Sequence, residues 1–70
     1  MKKIIINSND ANQRVDKFLS KYIKNAPLSY IYKAIRKKRV KLNGKKCEIS
    51  TRLSEGDVLE LYINDEFFED

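Results

Sequence analysis

The sequence predicts an α+β domain in which a two-helix hairpin packs on a small antiparallel sheet. Two segments repeat apolar residues at helical spacing, and short segments near both ends of the chain are β-branched or alternate apolar with polar residues. Between them, Asn43 and Gly44 form the dipeptide that most readily makes a two-residue hairpin turn. With 70 residues, of which 41% are hydrophobic, the chain can build one modest core.

In the first part of the chain, the residue pattern predicts a strand followed by a helix. Residues 3–7 are mostly β-branched and are followed by turn formers, as expected of a strand at a sheet edge. Apolar side chains then recur at the three- and four-residue intervals of one helix face, which predicts a helix over residues 13–23, capped by Asp10 or Asn12. That face carries Val15, Phe18, Leu19, Tyr22 and Ile23.

A second helix is predicted to begin at Ser29, whose hydroxyl suits the N-cap position. Pro27 closes the link between the helices, which is short enough for them to pack as a hairpin. Because successive residues lie about 100° apart, apolar and polar side chains separate onto opposite faces of this helix. The apolar face carries Ile31, Ala34 and Ile35. The opposite face carries Tyr30, Lys33, Arg36 and Lys37.

The second helix leads directly into a basic hairpin. Residues 39–42 alternate basic and apolar side chains as a short strand, and residues 45–50 can return as its partner after a type I′ turn at Asn43 and Gly44. Leu53 is expected to fill the core, and a turn at residues 54–57 precedes a last strand over residues 58–63. Residues 1–64 are thus predicted to form the domain, and residues 65–70 an acidic tail or the start of a linker to a further domain.

Charge is distributed very unevenly along the chain. The net charge of +5 combines +12 in residues 1–46, which hold 14 of the 15 Lys and Arg, with −7 in residues 47–70, which hold eight of the ten acids. A basic cluster is often no more than a solvated face. Here the cations continue from a helix through a strand to a turn, which favours a surface that attracts polyanions.

The composition argues against catalytic and metal-binding chemistry. With no histidine and a single cysteine, Cys47, the chain lacks the usual zinc ligand sets and any intramolecular disulfide, and Cys47 is expected to be a small, partly buried side chain. The basic region has no glycine-rich phosphate loop and no paired carboxylates, so we expect no catalytic residue, cofactor or metal. No apolar run approaches the ~18 residues of a membrane helix, and a cytoplasmic monomer without a membrane partner is expected.

Several short motifs occur in an order that resembles a known family. They are residues 14–19 (Arg-Val-Asp-Lys-Phe-Leu), Leu28 with Ser29, Ile35, Val40, residues 43–45 (Asn-Gly-Lys) and residues 55–58 (Glu-Gly-Asp-Val). As an ordered set they resemble the S4 domain, an RNA-binding module named after a small-subunit ribosomal protein. The leading strand and the first helix are most similar to the N-terminal domain of pseudouridine synthases that modify large-subunit ribosomal RNA. The resemblance implies an S4-like fold with an alpha-L motif, which holds structured RNA while a separate domain does the chemistry.

The resemblance also implies which residues touch RNA. The matching positions are Arg14, Lys17, Ser29, Lys33, Arg36, Lys37, Arg39, Lys41 and Lys45. Tyr30 stands where the family often has arginine, and its ring can stack on a base or ribose. Lys38 stands where the family often has glycine, so a left-handed backbone at a cost of about 1 kcal/mol is expected there. Asp16 lies in a triplet similar to a synthase active-site motif, but is expected to stabilise the helix start or to bind a nearby cation.

Three functions fit these observations. The first is the RNA-holding domain of a pseudouridine synthase, the second a free-standing RNA-binding protein of ribosome assembly or rescue, and the third a module whose basic face meets acidic proteins or membranes. The first two differ in whether the coding sequence continues past Asp70 into a domain with a catalytic aspartate. The third lacks the exposed apolar stripe that a membrane-surface helix requires.

Overall fold

The computed structural model describes residues 2–64 and 67. This part of the chain contains two helices and four strands. In chain order they are β1 Lys2–Ile5, α1 Val15–Tyr22, α2 Leu28–Arg36, β2 Val40–Leu42, β3 Lys45–Lys46 and β4 Val58–Leu61. The strands pair antiparallel in the order β1-β4-β2-β3. The predicted α+β class, a helix hairpin on a small antiparallel sheet, is confirmed.

The core lies between the two helices and one face of the sheet. Ile31, Ala34 and Ile35 are buried, as the spacing along α2 predicts. Alternate residues of β4, Leu59 and Leu61, are fully buried, because period-two side chains of a strand point to one face. The remaining buried apolar residues, which include Leu53, Val40 and Cys47, complete one cluster.

The start of α1 is not capped as the sequence predicts. The helix begins at Val15 rather than at residue 13, Arg14 takes the N-cap position, and no side chain there bonds to a helical N–H group. Instead, the N–H groups of Val15 and Asp16 donate to the carbonyl oxygens of Thr51 (2.8 Å) and Ile49 (3.4 Å). These carbonyls satisfy donors that every helix leaves open at its N-terminus. A distant loop therefore replaces the predicted cap by Asp10 or Asn12.

The same loop explains why β3 is shorter than predicted. The strand ends at Lys46 rather than at residue 50, because the chain then turns inward with Cys47 and forms a turn over residues 48–51. The N–H of Thr51 donates to the carbonyl of Glu48 (3.2 Å), and the N–H of Glu48 donates to the hydroxyl of Thr51 (2.9 Å). The turn carries the chain away from the sheet and over the start of α1. Two of the other three strands also end earlier than predicted, β1 at residue 5 and β4 at residue 61.

The predicted turn conformations are present. Asn43 and Gly44 have φ angles of 53° and 80°, the two positive values that a type I′ turn requires. Lys38 adopts the expected left-handed conformation, with φ of 62°. At this position the chain leaves α2, and the N–H of Arg39 reaches the carbonyl of Ala34 (2.9 Å).

Ser29 is not the N-cap of α2, and that prediction is wrong. The helix begins one residue earlier, at Leu28, and the extended Pro27 occupies the N-cap position. The carbonyl of Pro27 accepts the N–H groups of Tyr30 (3.0 Å) and Ile31 (3.2 Å), so it closes the first turn without a side-chain cap. Of the predicted tail at residues 65–70, only Phe67 lies within the described part of the chain, and the domain boundary stays a prediction.

Candidate nucleic-acid interface

The exposed side of α2 carries a row of cations. Lys33, Arg36 and Lys37 are exposed, and they lie opposite the three buried residues of the helix. This is the face that the helical spacing predicts. Lys33 and Arg36 also belong to the last turn, where positive charge interacts favourably with the negative end of the helix dipole.

On one flank of α2, four predicted site residues come together. Tyr30, Lys33, Lys37 and Arg39 line a shallow recess of about 220 Å³. The left-handed turn at residue 38 places Arg39 there, and the carbonyl of Arg39 accepts the N–H of Tyr62 (2.7 Å), which fixes the backbone against the end of β4. Three cations therefore converge around one tyrosine.

Tyr30 already has an aromatic partner. Its ring stacks on that of Phe67, with the centroids 4.5 Å apart and the planes inclined by 23°. Both rings pack against the buried core. Phe67 covers one face of the Tyr30 ring. A base could therefore stack on Tyr30 only by using the opposite face of the ring or by displacing Phe67.

On the other flank, a groove runs between α1 and α2. It measures about 390 Å³ and is lined by Arg14, Asp16, Lys17, Ser20, Leu28 and Tyr32. Two of these, Arg14 and Lys17, are predicted site residues, and both are exposed. The groove thus places two cations from the start of α1, the N-cap residue Arg14 and Lys17, beside the first turns of α2.

Asp16 lies at the base of this groove, with only 10% of its side chain exposed. Its carboxylate accepts from Nε (3.2 Å) and Nη2 (3.3 Å) of Arg14. It also accepts from the backbone N–H of Lys17 (2.9 Å) and from the hydroxyl of Tyr32 (3.4 Å). The expected bond between Asp16 and a nearby cation is therefore present, and it holds one edge of the Arg14 guanidinium in place.

The remaining predicted site residues are placed apart from the two flanks. Ser29 is exposed on the first turn of α2, and Lys45 is exposed next to the hairpin turn. Lys41 pairs with Glu60 on β4 and with Lys46 on β3. Since the neighbouring residues of β2 face the core, the register directs Lys41 to the sheet face that the helices do not cover. The structure does not bring Lys41 together with the cations of α2.

Sequence reasoning missed one cation beside the first helix. Arg52 forms an isolated antiparallel bridge with Arg14, and its Nη1 donates to the carbonyl of Asn12 (2.7 Å). It lines a recess of about 440 Å³ together with Arg14, Lys17 and Lys21. No local pattern could have found Arg52, because only the loop over the start of α1 brings it there.

Cys47 takes no part in the basic surface. Its side chain is buried, and its thiol donates to the carbonyl of Val40 (3.8 Å). Burial, with a smaller contribution from the charge of Glu48, raises the pKa of the thiol above 9.0. Since the thiolate is the reactive form, Cys47 is a packing residue, as the sequence predicts.

The described residues contain neither a candidate metal site nor a candidate membrane-spanning helix. Within residues 2–64 and 67, no group of three or more His, Cys, Asp or Glu side chains could hold a metal ion. In the same part of the chain, no helix has the length and apolar character that crossing a bilayer requires.

Comparison with known proteins places these features in a family. The family model for the S4 domain matches residues 13–59, a span that includes α1, α2, the hairpin and the start of β4. An uncharacterized RNA pseudouridine synthase of Mycoplasma capricolum is 46% identical over 63 residues, which are 89% of this chain and 21% of that protein.

Two further relatives are named ribosomal large subunit pseudouridine synthase C. The protein of Buchnera aphidicola subsp. Schizaphis graminum is 41% identical over 58 residues, and that of Escherichia coli is 37% identical over 57 residues. These matches include 83% and 81% of this chain, and 18% of each relative. The chain thus spans about a fifth of the length of the curated relatives it matches. Because the family model matches more than half of its residues, the chain belongs to the S4 domain family of RNA-binding modules.

Proposed function

We propose that this chain holds structured ribosomal RNA on the surface formed by α2, the start of α1 and the hairpin. The contact residues are Arg14, Lys17, Ser29, Tyr30, Lys33, Arg36, Lys37, Arg39 and Lys45. The observation that carries the proposal is the row of cations on α2, with further cations on both flanks of the same helix. Lys41 is left out because the register directs it to the other side of the sheet.

The shape and charge of this surface suit an RNA backbone. A double-helical RNA displays phosphates and 2′-hydroxyls around a wide, shallow minor groove. A single short helix with cations on its exposed side can contact such a rim without reading bases. The contacts would therefore be electrostatic and largely independent of sequence.

The relatives support a place for this domain in a larger enzyme. All three are named as pseudouridine synthases, two of them as ribosomal large subunit pseudouridine synthase C. We propose that the parent protein isomerises uridine in large-subunit ribosomal RNA in the cytoplasm. This chain would hold the substrate as its non-catalytic N-terminal domain.

A binding experiment with charge-matched variants tests the proposal. Fluorescence anisotropy would measure the 70-residue chain against a labelled hairpin of large-subunit ribosomal RNA, in parallel with sedimentation on anionic vesicles. The double substitution Arg36→Ala and Lys37→Ala should weaken RNA binding about tenfold, since it removes two candidate phosphate contacts. The double substitution Lys2→Ala and Lys3→Ala removes the same charge from β1 and should change RNA affinity about twofold or less.

Circular dichroism would establish that both double variants are folded. Equal loss of RNA affinity in the two variants would contradict the proposal, because net charge alone would then explain binding. Vesicle binding as strong as RNA binding would favour a membrane or acidic-protein module instead.

A further inference from the structure

The groove between α1 and α2 combines charge with an exposed apolar side chain. Leu28 begins α2, and 47% of its surface is exposed. Tyr32 lies four residues later, so it shares a helix face with Leu28 one turn further along. Its side chain is partly exposed. Both line the same groove as Arg14 and Lys17. An apolar patch therefore adjoins two cations within one concave site.

Arg14 is held in a defined orientation beside this patch. Its Nε and Nη2 donate to the carboxylate of Asp16, while Nη1 has no hydrogen-bond partner among the described residues. Only 10% of the Asp16 side chain is exposed, against 47% of the Arg14 side chain, so the guanidinium is the more accessible member of this ion pair. An arginine fixed along one edge retains donors for a phosphate on the other.

We propose that this groove binds one unpaired nucleotide of the RNA, with its phosphate on Arg14 and Lys17 and its base packed on Leu28 and Tyr32. The proposal rests on the proposed function and specifies the part of the RNA that this groove takes. Phosphates of a paired stem would engage the two cations but would leave Leu28 in water. An extruded base offers an apolar face that can cover Leu28.

The recess around Tyr30, on the other flank of α2, does not offer the same site. Its aromatic residue, Tyr30, already stacks on Phe67. Its other lining residues are mainly cations, so it suits the backbone of a stem. The two flanks of α2 would thus divide the RNA, with paired phosphates on one side and a bulged nucleotide on the other.

Two RNA hairpins with the same stem test the proposal, one fully paired and one with a single bulged nucleotide. The wild-type chain should bind the bulged hairpin about five- to tenfold more tightly, the effect expected from covering one side chain with a base. Leu28→Ser should reduce this ratio to about twofold or less. Ile5→Ser removes an apolar residue that is 70% exposed on β1, away from the groove, and should retain the wild-type ratio.

A 2-aminopurine at the bulged position provides a second readout. Its fluorescence should change on binding to the wild-type chain and to Ile5→Ser, and should change much less with Leu28→Ser. Equal affinity of the wild-type chain for both hairpins, or an unchanged ratio in Leu28→Ser, would overturn the nucleotide site. In either case, salt-dependent binding of the paired hairpin would leave the proposed function intact. If the wild-type chain binds neither hairpin, the proposed function itself is contradicted.

Discussion

The ring of Phe67 lies on the ring of Tyr30, with a centroid separation of 4.5 Å, and joins α2 to the segment that follows β4. Tyr30 also borders the recess formed with Lys33, Lys37 and Arg39. The same tyrosine therefore takes part in an intramolecular stack and in the candidate RNA surface. Removing Phe67 would separate these two roles.

Phe67→Ala should lower the free energy of unfolding by about 1 to 3 kcal/mol, because it removes both the aromatic pair and the apolar area that Phe67 buries against the core. It should also strengthen RNA binding severalfold, since an uncovered Tyr30 can stack on a base. Urea unfolding and RNA anisotropy measure the two effects. Tyr62→Ala, which removes an exposed ring, should change stability by about 0.5 kcal/mol or less. Weaker RNA binding by Phe67→Ala would mean that the stacked pair itself contacts RNA.

Asp16→Asn should affect stability more than RNA binding. The carboxylate accepts bonds from Arg14, Tyr32 and the N–H of Lys17, and an amide satisfies these donors only in part. A loss of about 1 to 3 kcal/mol in the free energy of unfolding is expected, with RNA affinity changed by about threefold or less. Asp10→Asn makes the same change in charge and serves as the control. A larger loss of affinity without a change in stability would assign Asp16 to the RNA surface.

The 70-residue chain should form no pseudouridine on any RNA. Asp16 lies in a triplet similar to a synthase active-site motif, but its carboxylate is largely covered and is bonded to Arg14 and Tyr32, which keeps it from approaching a uracil ring. The test is a uridine-isomerisation assay on ribosomal RNA that lacks the modification. Turnover that disappears in Asp16→Asn would identify Asp16 as an active-site residue.

Stability should decrease at alkaline pH through Cys47. Because burial raises the pKa of the folded-state thiol above 9.0, the folded chain retains a proton that the unfolded chain releases. This contribution is complete below pH 9.0 and is lost as the pH rises through the folded-state pKa. Urea unfolding from about pH 8 to about pH 10.5 should therefore show a steeper decline for the wild-type chain than for Cys47→Ala. Parallel curves would mean that the thiol is not protected by burial.

Local sequence was sufficient to predict much of the fold and the basic face of α2 in the candidate site. The faces of α2 follow from helical spacing, and the hairpin turn follows from the positive φ angles that Asn43 and Gly44 tolerate. The exposed cations of α2 lie on the face where this spacing places them, whereas Arg39, predicted to belong to the strand, precedes β2 and lies beside α2. These features depend on residues that are near one another in the chain.

The features that were not predicted depend on contacts between distant residues. The carbonyls of Thr51 and Ile49 replace the side-chain cap of α1, and the same loop brings Arg52 beside Arg14. The partner of Tyr30 lies 37 positions away, at Phe67. Helix spacing and turn chemistry contain no information on such pairs, because tertiary packing decides them.

The dependence of RNA affinity on salt tests the central claim most directly, because that claim assigns binding to contacts between cations and phosphates. Anisotropy titrations of one structured RNA would be repeated at increasing potassium chloride concentrations. The logarithm of the association constant would then be plotted against the logarithm of the salt concentration. About four to six phosphate contacts predict that log affinity falls with a slope of roughly −3 to −5. The Arg36→Ala and Lys37→Ala double variant should reduce the magnitude of this slope by about 2. An affinity that stays constant between low and moderate salt would contradict the account.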